Sequence, residues 1–306
     1  VFRVGLEGSK RERIMSKGKQ LRELMARDGM VLAPGAYDGL TAKLIQQADF
    51  SSVYMTGGGT SSGFGYPDYG LLTMSEMVEN AGRIADAVDL PVISDADNGY
   101  GNELNVFRTV RAFEKAGVAG VHIEDQVFPK RCGHLDDKEL VSLDDYLAKI
   151  RAAADARRDD DFVIIARTDS RAKLGFEEAV RRCNAALEEG ADVAFLEAPQ
   201  TIEEVTAAPN QISGPCLLNI VRGGKTPEVT FTQAKKMGYG IAIVPGLLFI
   251  QVIGACEQAL KEMKAEDRHP VPLADLSPAG AFARVGANEW DPRREQYRDA
   301  PAEAAE

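Results

Sequence analysis

The chain has no run of about 18 apolar residues, which excludes a transmembrane helix. The stretch from Val1 to Met15 is basic but lacks the apolar core of a secretory signal. Met15 is then either the natural start, behind an added remnant, or an internal methionine behind an earlier start. Positive charge is in deficit: 36 Lys and Arg against 47 Asp and Glu give a formal net charge of −11. That balance argues against nucleic acid and against an anionic membrane as partners. It leaves a small anionic substrate open, because a site can be locally positive on an acidic protein. The four cysteines, Cys132, Cys183, Cys216 and Cys256, have no framework spacing, so the expectation is a reducing, cytoplasmic setting rather than a disulfide scaffold. Nucleotide fingerprints are missing as well. The glycines between Gly57 and Gly65 do not form a dinucleotide motif, and Gly223-Gly224-Lys225-Thr226 lacks the upstream glycine of a P-loop. Either stretch still offers backbone N–H groups to an anionic oxygen.

What is present is a repeated helix-to-strand unit. An amphipathic stretch ends in a small residue and a short β-branched run follows, as in Lys115-Ala116-Gly117 before Gly120-Val121-His122-Ile123. Glu189-Gly190-Ala191-Asp192 before Val193-Ala194-Phe195-Leu196 repeats it. Phe176, Ala179, Val180, Cys183, Ala186 and Leu187 share one helical face. Gly190 sits where a helix C-terminal glycine belongs, and Ser142 with Asp145 resembles an N-terminal cap. Eight candidate strands lie near 30–34, 52–56, 91–95, 119–124, 162–167, 193–197, 216–220 and 240–244. Eight alternating units in 306 residues predict a (β/α)₈ TIM-type barrel, with an open doubly wound sheet as the alternative. The barrel is expected over 19–265, after an N-terminal extension at 1–18. A C-terminal helical extension with a frayed tail follows at 266–306.

Barrel enzymes carry their chemistry at the C-terminal strand ends. Here those ends read Thr56-Gly57-Gly58, Asp95-Ala96-Asp97, Glu124-Asp125, Arg167-Thr168-Asp169, Glu197 and Asn219. Asp95 and Asp97 are two apart, which on a strand puts both carboxylates on one side. The alternatives are a bound cation, a shared proton, or merely an acidic loop start. Glu124 from the next strand would complete an oxygen cluster suited to magnesium. The run Lys130-Arg131-Cys132-Gly133-His134 falls in the long connection after the fourth strand, as lids often do. Its basic neighbours are expected to depress the Cys132 thiol toward neutrality, where a proton donor or acceptor works best. His122 lies within an apolar strand and is open to a core or a site role. Trp290 and Tyr297 read as packing or subunit-contact residues.

These motifs together resemble the isocitrate lyase/phosphoenolpyruvate mutase superfamily. The carriers are Pro34 to Leu40, Tyr54-Met55-Thr56-Gly57-Gly58-Gly59, Asp95 to Gly101, Glu124-Asp125-Gln126, Lys130 to His134, Ala166 to Asp169 and Leu196 to Pro199. They are most like the branch of 2-methylisocitrate lyase, 2,3-dimethylmalate lyase and carboxyphosphonoenolpyruvate mutase. The resemblance implies magnesium, with manganese as an alternative, held directly by Asp97 and through water by Asp95 and Glu124. It implies that Thr56, Gly57 and Gly58 hold a small carboxylate substrate and that Arg167 stabilises negative charge. Glu197 and Asn219 would line the far side. Tyr54 and Asp68 would orient the substrate, and Cys132 would protonate the enolate released by carbon–carbon cleavage. Lys130, Arg131, Gly133, His134 and His122 complete the expected substrate surroundings.

Within the superfamily the reading is a lyase for a 2-substituted malate or methylisocitrate-type acid. Pro199 departs from the serine expected of an oxaloacetate hydrolase. The short Leu135-Asp136-Asp137-Lys138 stretch departs from the glycine-rich loop of true isocitrate lyases. A phosphonomutase, an oxaloacetate hydrolase and a metabolite-binding barrel without catalysis are the alternatives. The same resemblance implies a homo-oligomer, dimer or tetramer, with the last barrel helix carried onto a partner subunit.

Overall fold

A computed structural model describes residues 15–135, 137–274 and 276–298. The start-site alternatives before Met15, the fraying expected of Ala300–Glu306 and Asp136 of the short loop all lie outside these described residues. Eight strands follow in order: β1 (Val31–Ala36), β2 (Val53–Met55), β3 (Val92–Asp95), β4 (Gly120–Glu124), β5 (Val163–Thr168), β6 (Val193–Leu196), β7 (Leu217–Asn219) and β8 (Ile241–Val244). All paired strands are parallel, in the order β6-β5-β4-β3-β2-β1-β8-β7. A parallel bridge between Ala194 and Cys216 brings the two ends of that order together. The open doubly wound sheet is thereby rejected in favour of the (β/α)₈ barrel.

Thirteen helices are described. The first seven are α1 (Lys17–Asp28), α2 (Gly39–Gln47), α3 (Gly57–Gly63), α4 (Met74–Ala87), α5 (Glu103–Lys115), α6 (Leu143–Ala156) and α7 (Arg171–Leu174). Then come α8 (Phe176–Glu188), α9 (Ile202–Gln211), α10 (Phe231–Met237), α11 (Leu247–Glu266), α12 (Pro278–Ala283) and α13 (Ala287–Arg298). Their ends follow local chemistry. Ser142 Oγ accepts from the Asp145 amide at 3.1 Å and starts α6, satisfying an amide that has no partner inside the helix. Gly190 takes a φ of 104° just past α8, a conformation open to glycine without a Cβ clash.

Period-two alternation divides the apolar residues of each strand between two cores. Val53 and Met55 face the helices with Ile84, Phe113 and Ile150. Tyr54 points into the barrel with Val31, Ile93, Ile165, Phe195 and Ile243. Leu21 of α1 joins this inner set and closes the N-terminal end. The barrel is therefore filled by side chains. At the end of the chain α11 departs from the pattern: none of its residues is buried, and Ile250 and Leu260 are 51% and 61% exposed. No described helix is long and apolar enough to cross a membrane.

Candidate active site

The site begins where β2 becomes α3. Thr56 caps α3, its hydroxyl accepting from the Gly59 amide at 3.3 Å. Gly57 follows against β3 so closely that a Cβ there would overlap the Asp95 carboxylate. Close approach is thus the reason for glycine at this position. A Cβ on Gly58 would stand 3.7 Å from Asp68 Oδ2.

Asp95 is the last residue of β3, but Asp97 is already off the strand. With φ at 48° it turns back, and its amide donates to Asp95 Oδ1 at 2.9 Å. The two carboxylates meet through this turn, not through strand alternation as the spacing predicts. Lys130 Nζ lies 2.6 Å from Asp68 and 2.7 Å from Asp97. Glu124, at the end of β4, is fully buried, and neither carboxylate oxygen has a hydrogen-bond partner among the described residues. Arg167 Nε stands 3.2 Å from Glu124 Oε2. Asp169 holds that guanidinium at 2.9 and 3.2 Å.

Acid outnumbers base in this enclosure. Asp68, Asp95, Asp97, Glu124, Asp169 and Glu197 face Lys130, Lys138 and Arg167. Burial raises Asp97 to about 7 against the pull of Lys130, with Asp95 and Asp68 adding to the rise, and burial raises Glu124 well above the usual carboxylate range. Asp95 goes the other way, to about 2, its burial outweighed by His122, Lys130 and Arg167. His122 itself is pushed down to about 4 by burial, so at neutral pH it is uncharged and the cations acting on Asp95 are Lys130 and Arg167. Its Nε2 lies 2.8 Å from the Tyr54 hydroxyl and 3.5 Å from Asp95 Oδ1. The residue that was open to either role therefore touches the site from below.

These residues fit a hard divalent cation. The buried Glu124 carboxylate, which among the described residues has an ion pair with Arg167 but no hydrogen bond, and an Asp97 whose ionisation is costly are relieved by a positive ion that takes oxygen ligands. Among the described residues no three His, Cys, Asp or Glu groups converge to hold an ion by themselves. Few direct carboxylates and several waters is the coordination magnesium favours.

The connection after β4 lies over this cluster. Its outgoing limb is clamped by Gln126, whose side-chain amide accepts from the Arg131 N–H and donates to the Arg131 carbonyl, both at 2.9 Å. The return limb pairs back through Val127 N to Glu139 O at 2.8 Å and Val141 N to Asp125 O at 2.9 Å. Cys132 N donates to Asp68 O at 3.2 Å. Next to it, Gly133 packs so tightly that a Cβ would overlap the Arg167 guanidinium and stand 2.6 Å from Glu197 Cγ. His134 Nδ1 accepts from the Lys225 amide at 3.1 Å. That bond leaves the proton on Nε2, 3.0 Å from Glu197 Oε1. Asn219 Nδ2 donates to both Glu197 oxygens at 3.3 Å. Although burial opposes it, Arg167 then His134 hold Glu197 well below the usual range.

The Cys132 thiol departs from expectation. Burial and then Asp68 push it up rather than toward neutrality. The cationic neighbours do not reverse this, because Lys130 is engaged by Asp68 and Asp97. Arg131 points away, exposed over the Tyr69 ring at 5.6 Å, and is the one expected site residue whose side chain stays outside the enclosure. Spacing alone did not reveal the second layer. Asp125 is buried and receives Thr168 Oγ1 at 2.6 Å, the Asp169 amide at 2.8 Å and Arg182 Nη1 at 2.9 Å. Asp125 and Asp169 stand within charged strand ends and were findable there. Arg182, on a helix, and Lys138, on a loop, carried no signal.

A filled parallel barrel with an acidic cluster, one guanidinium and a loop-borne thiol at its C-terminal end is the arrangement of a barrel enzyme. The chain belongs to the phosphoenolpyruvate phosphomutase family, whose profile matches residues 21–264, within the isocitrate lyase/phosphoenolpyruvate mutase superfamily and on its carbon–carbon lyase side. It is 49% identical over 232 residues to 2,3-dimethylmalate lyase of Eubacterium barkeri, covering 76% of this chain and 80% of that one. Oxaloacetate acetylhydrolase, solved with 3,3-difluorooxalacetate, superposes with a TM-score of 0.89 at 39% identity, covering 92% and 97% of the two chains. Phosphonopyruvate hydrolase, solved with oxalate and magnesium, superposes with a TM-score of 0.82 at 32% identity, covering 92% and 99%.

Proposed function

We propose that the protein cleaves the C2–C3 bond of a 2-substituted malate or methylisocitrate-type hydroxy acid, giving a 2-oxo acid and a carboxylic acid, with magnesium as cofactor. The observation that carries this reading is the seating of the Cys132–His134 turn on Glu197 and on Arg167, the guanidinium that pairs with Glu124. A protonated thiol beside an acidic metal-binding cluster suits release and protonation of an enolate. The similarity to 2,3-dimethylmalate lyase supports the same direction.

Asp97 would hold the ion directly, and Asp95 and Glu124 would hold its waters. When bound, magnesium supplies Lewis-acid stabilisation for the oxygens of the 2-oxo fragment. The α3 N-terminus binds a carboxylate of that fragment through the Gly57 and Gly58 amides and the Thr56 hydroxyl, the Thr56 amide being held by Ala36 O at 3.0 Å. Arg167, fixed by Asp169, faces the negative charge that develops as the bond breaks. Tyr54, its phenol held protonated by burial, orients the substrate from the barrel interior. The C2 hydroxyl gives its proton to a carboxylate of the Asp95–Asp97–Glu124 cluster as it becomes the carbonyl, and the C2–C3 bonding pair passes to the second fragment, where its carboxylate spreads the charge. Cys132 then delivers its proton to that carbon. Its raised thiol keeps the acid form through neutral pH, as a donor requires. Glu197, His134 and Asn219 close the far wall, and Lys130 with Asp68 anchors the near edge.

The structural likeness to oxaloacetate acetylhydrolase favours oxaloacetate hydrolysis as the second reading. Pro199 in place of serine separates the two. The exposed apolar residues of α11, among them Ile250 and Leu260, support assembly as a homo-oligomer. A panel of 2-substituted malates, methylisocitrate, oxaloacetate and phosphonopyruvate tests the reaction, with and without a chelator. Cleavage of a malate that stops in chelator is the expected result. Turnover confined to oxaloacetate or phosphonopyruvate would reject it.

A further inference from the structure

Cys132 is placed by its backbone. Its N–H donates to Asp68 O at 3.2 Å, its carbonyl accepts from Leu135 N at 2.9 Å, and its sulfur faces the His134 amide. The thiol position therefore depends on the turn through Gly133 and His134. What fixes the middle of that turn is Lys138, five residues further on and 3% exposed. Its ammonium donates to the Gly133 carbonyl. The same ammonium lies 3.4 Å from Asp169 Oδ1, the oxygen that also receives Arg167 Nη2 at 3.2 Å.

One buried cation thus joins the turn that carries the thiol to the carboxylate that aims the guanidinium. Both partners are acceptors, one of them charged, so the position calls for a donor with more than one N–H and a positive charge. Lys138 touches no reacting atom in the proposed chemistry. Nor is it part of the loop's base, which pairs through Gln126, Val127, Glu139 and Val141.

We infer that Lys138 is a positioning residue for the proton transfer: by bridging Gly133 O and Asp169 it sets the Cys132 thiol and the Arg167 guanidinium relative to each other. The inference rests on Cys132 as the proton donor.

Lys138→Met keeps the aliphatic stem and removes the ammonium. Misplacement of a reacting group by about 1 Å costs ~10²-fold, and a loss of that size is expected in kcat. KM and the affinity for oxalate with magnesium should change little, since α3, Asp97 and Glu124 are untouched. Alkylation of Cys132 by iodoacetamide, followed peptide by peptide, should accelerate several-fold. Lys138→Arg should recover part of kcat and part of the protection. If Lys138→Met does not fold, Lys138→Gln carries the same measurements, because its amide still donates to Gly133 O but brings no charge to Asp169.

A folded variant with wild-type kcat and wild-type alkylation would overturn the inference. So would a parallel fall of kcat and oxalate affinity, the signature of a generally disturbed site. Lys138-dependent alkylation in a wild-type protein that cleaves no malate would reject the lyase reading and keep the bridge. Malate cleavage indifferent to Lys138 would reject the bridge alone.

Discussion

At the residue scale, burial sets the acid–base roles as strongly as neighbouring charge does. Sequence neighbours of Cys132 are basic, yet in the fold two of them are turned elsewhere and the thiol is raised. The sign of the pH effect follows. A donor must be protonated, and a raised thiol loses its proton only as pH climbs past the ordinary thiol value of ~8.5. kcat is therefore expected to stay level through neutrality and to fall on the alkaline side. A fall centred near neutral pH would show that the thiol is depressed instead. Asp97 gives a second residue-scale outcome. Its carboxyl, raised to about 7, is protonated more readily folded than unfolded, so its ionisation costs stability as pH rises toward neutrality. Asp97→Ala should abolish turnover and magnesium-dependent oxalate binding with little change in the melting temperature at pH 7, because the relief of a costly ionisation is offset by the loss of one of the two carboxylates on Lys130. Calorimetric titration and a thermal melt check both halves.

At the scale of elements, the strands and most helices were legible because their signals are local. The face of α8 is readable from Ala179, Val180, Cys183 and Ala186, which the structure buries. The end of that helix is readable from Gly190. Asp95, Glu124 and Arg167 stand out in the sequence because they are charged groups at the ends of apolar runs. Their manner of convergence was not legible. The turn at Asp97 depends on a positive φ at an aspartate, which no spacing encodes. Arg182 and Lys138 reach Asp125 and Asp169 only once helix, loop and strand are assembled. Arg131 shares a motif with Cys132, yet in the fold its guanidinium lies over the Tyr69 ring. The α3 N-terminus offers a test at this scale. Gly57→Ala puts a Cβ onto the Asp95 carboxylate, and overpacking of this kind costs ~1–3 kcal/mol. Oxalate affinity should fall together with stability. Unchanged oxalate binding would remove α3 from the carboxylate site.

At the scale of the whole molecule, stability and chemistry occupy different layers. The shell between strands and helices is apolar and lies away from the acidic cluster, with Phe113 fully buried in it. Phe113→Ala should cost ~3–5 kcal/mol in denaturant unfolding, with kcat unchanged at temperatures where the variant is folded. The central claim is that the barrel brings a protonated thiol to the carbon freed by cleavage. Turnover of a cleavable 2-substituted malate in deuterated water, with mass and NMR analysis of the carboxylic acid product, tests it most directly. The wild-type product should carry one deuterium at the carbon that was bonded to C2. Cys132→Ser, a far weaker acid, should form it about 10²–10⁴-fold more slowly while still binding oxalate. A product without solvent deuterium at that carbon, or near-normal turnover by Cys132→Ser, would contradict the account.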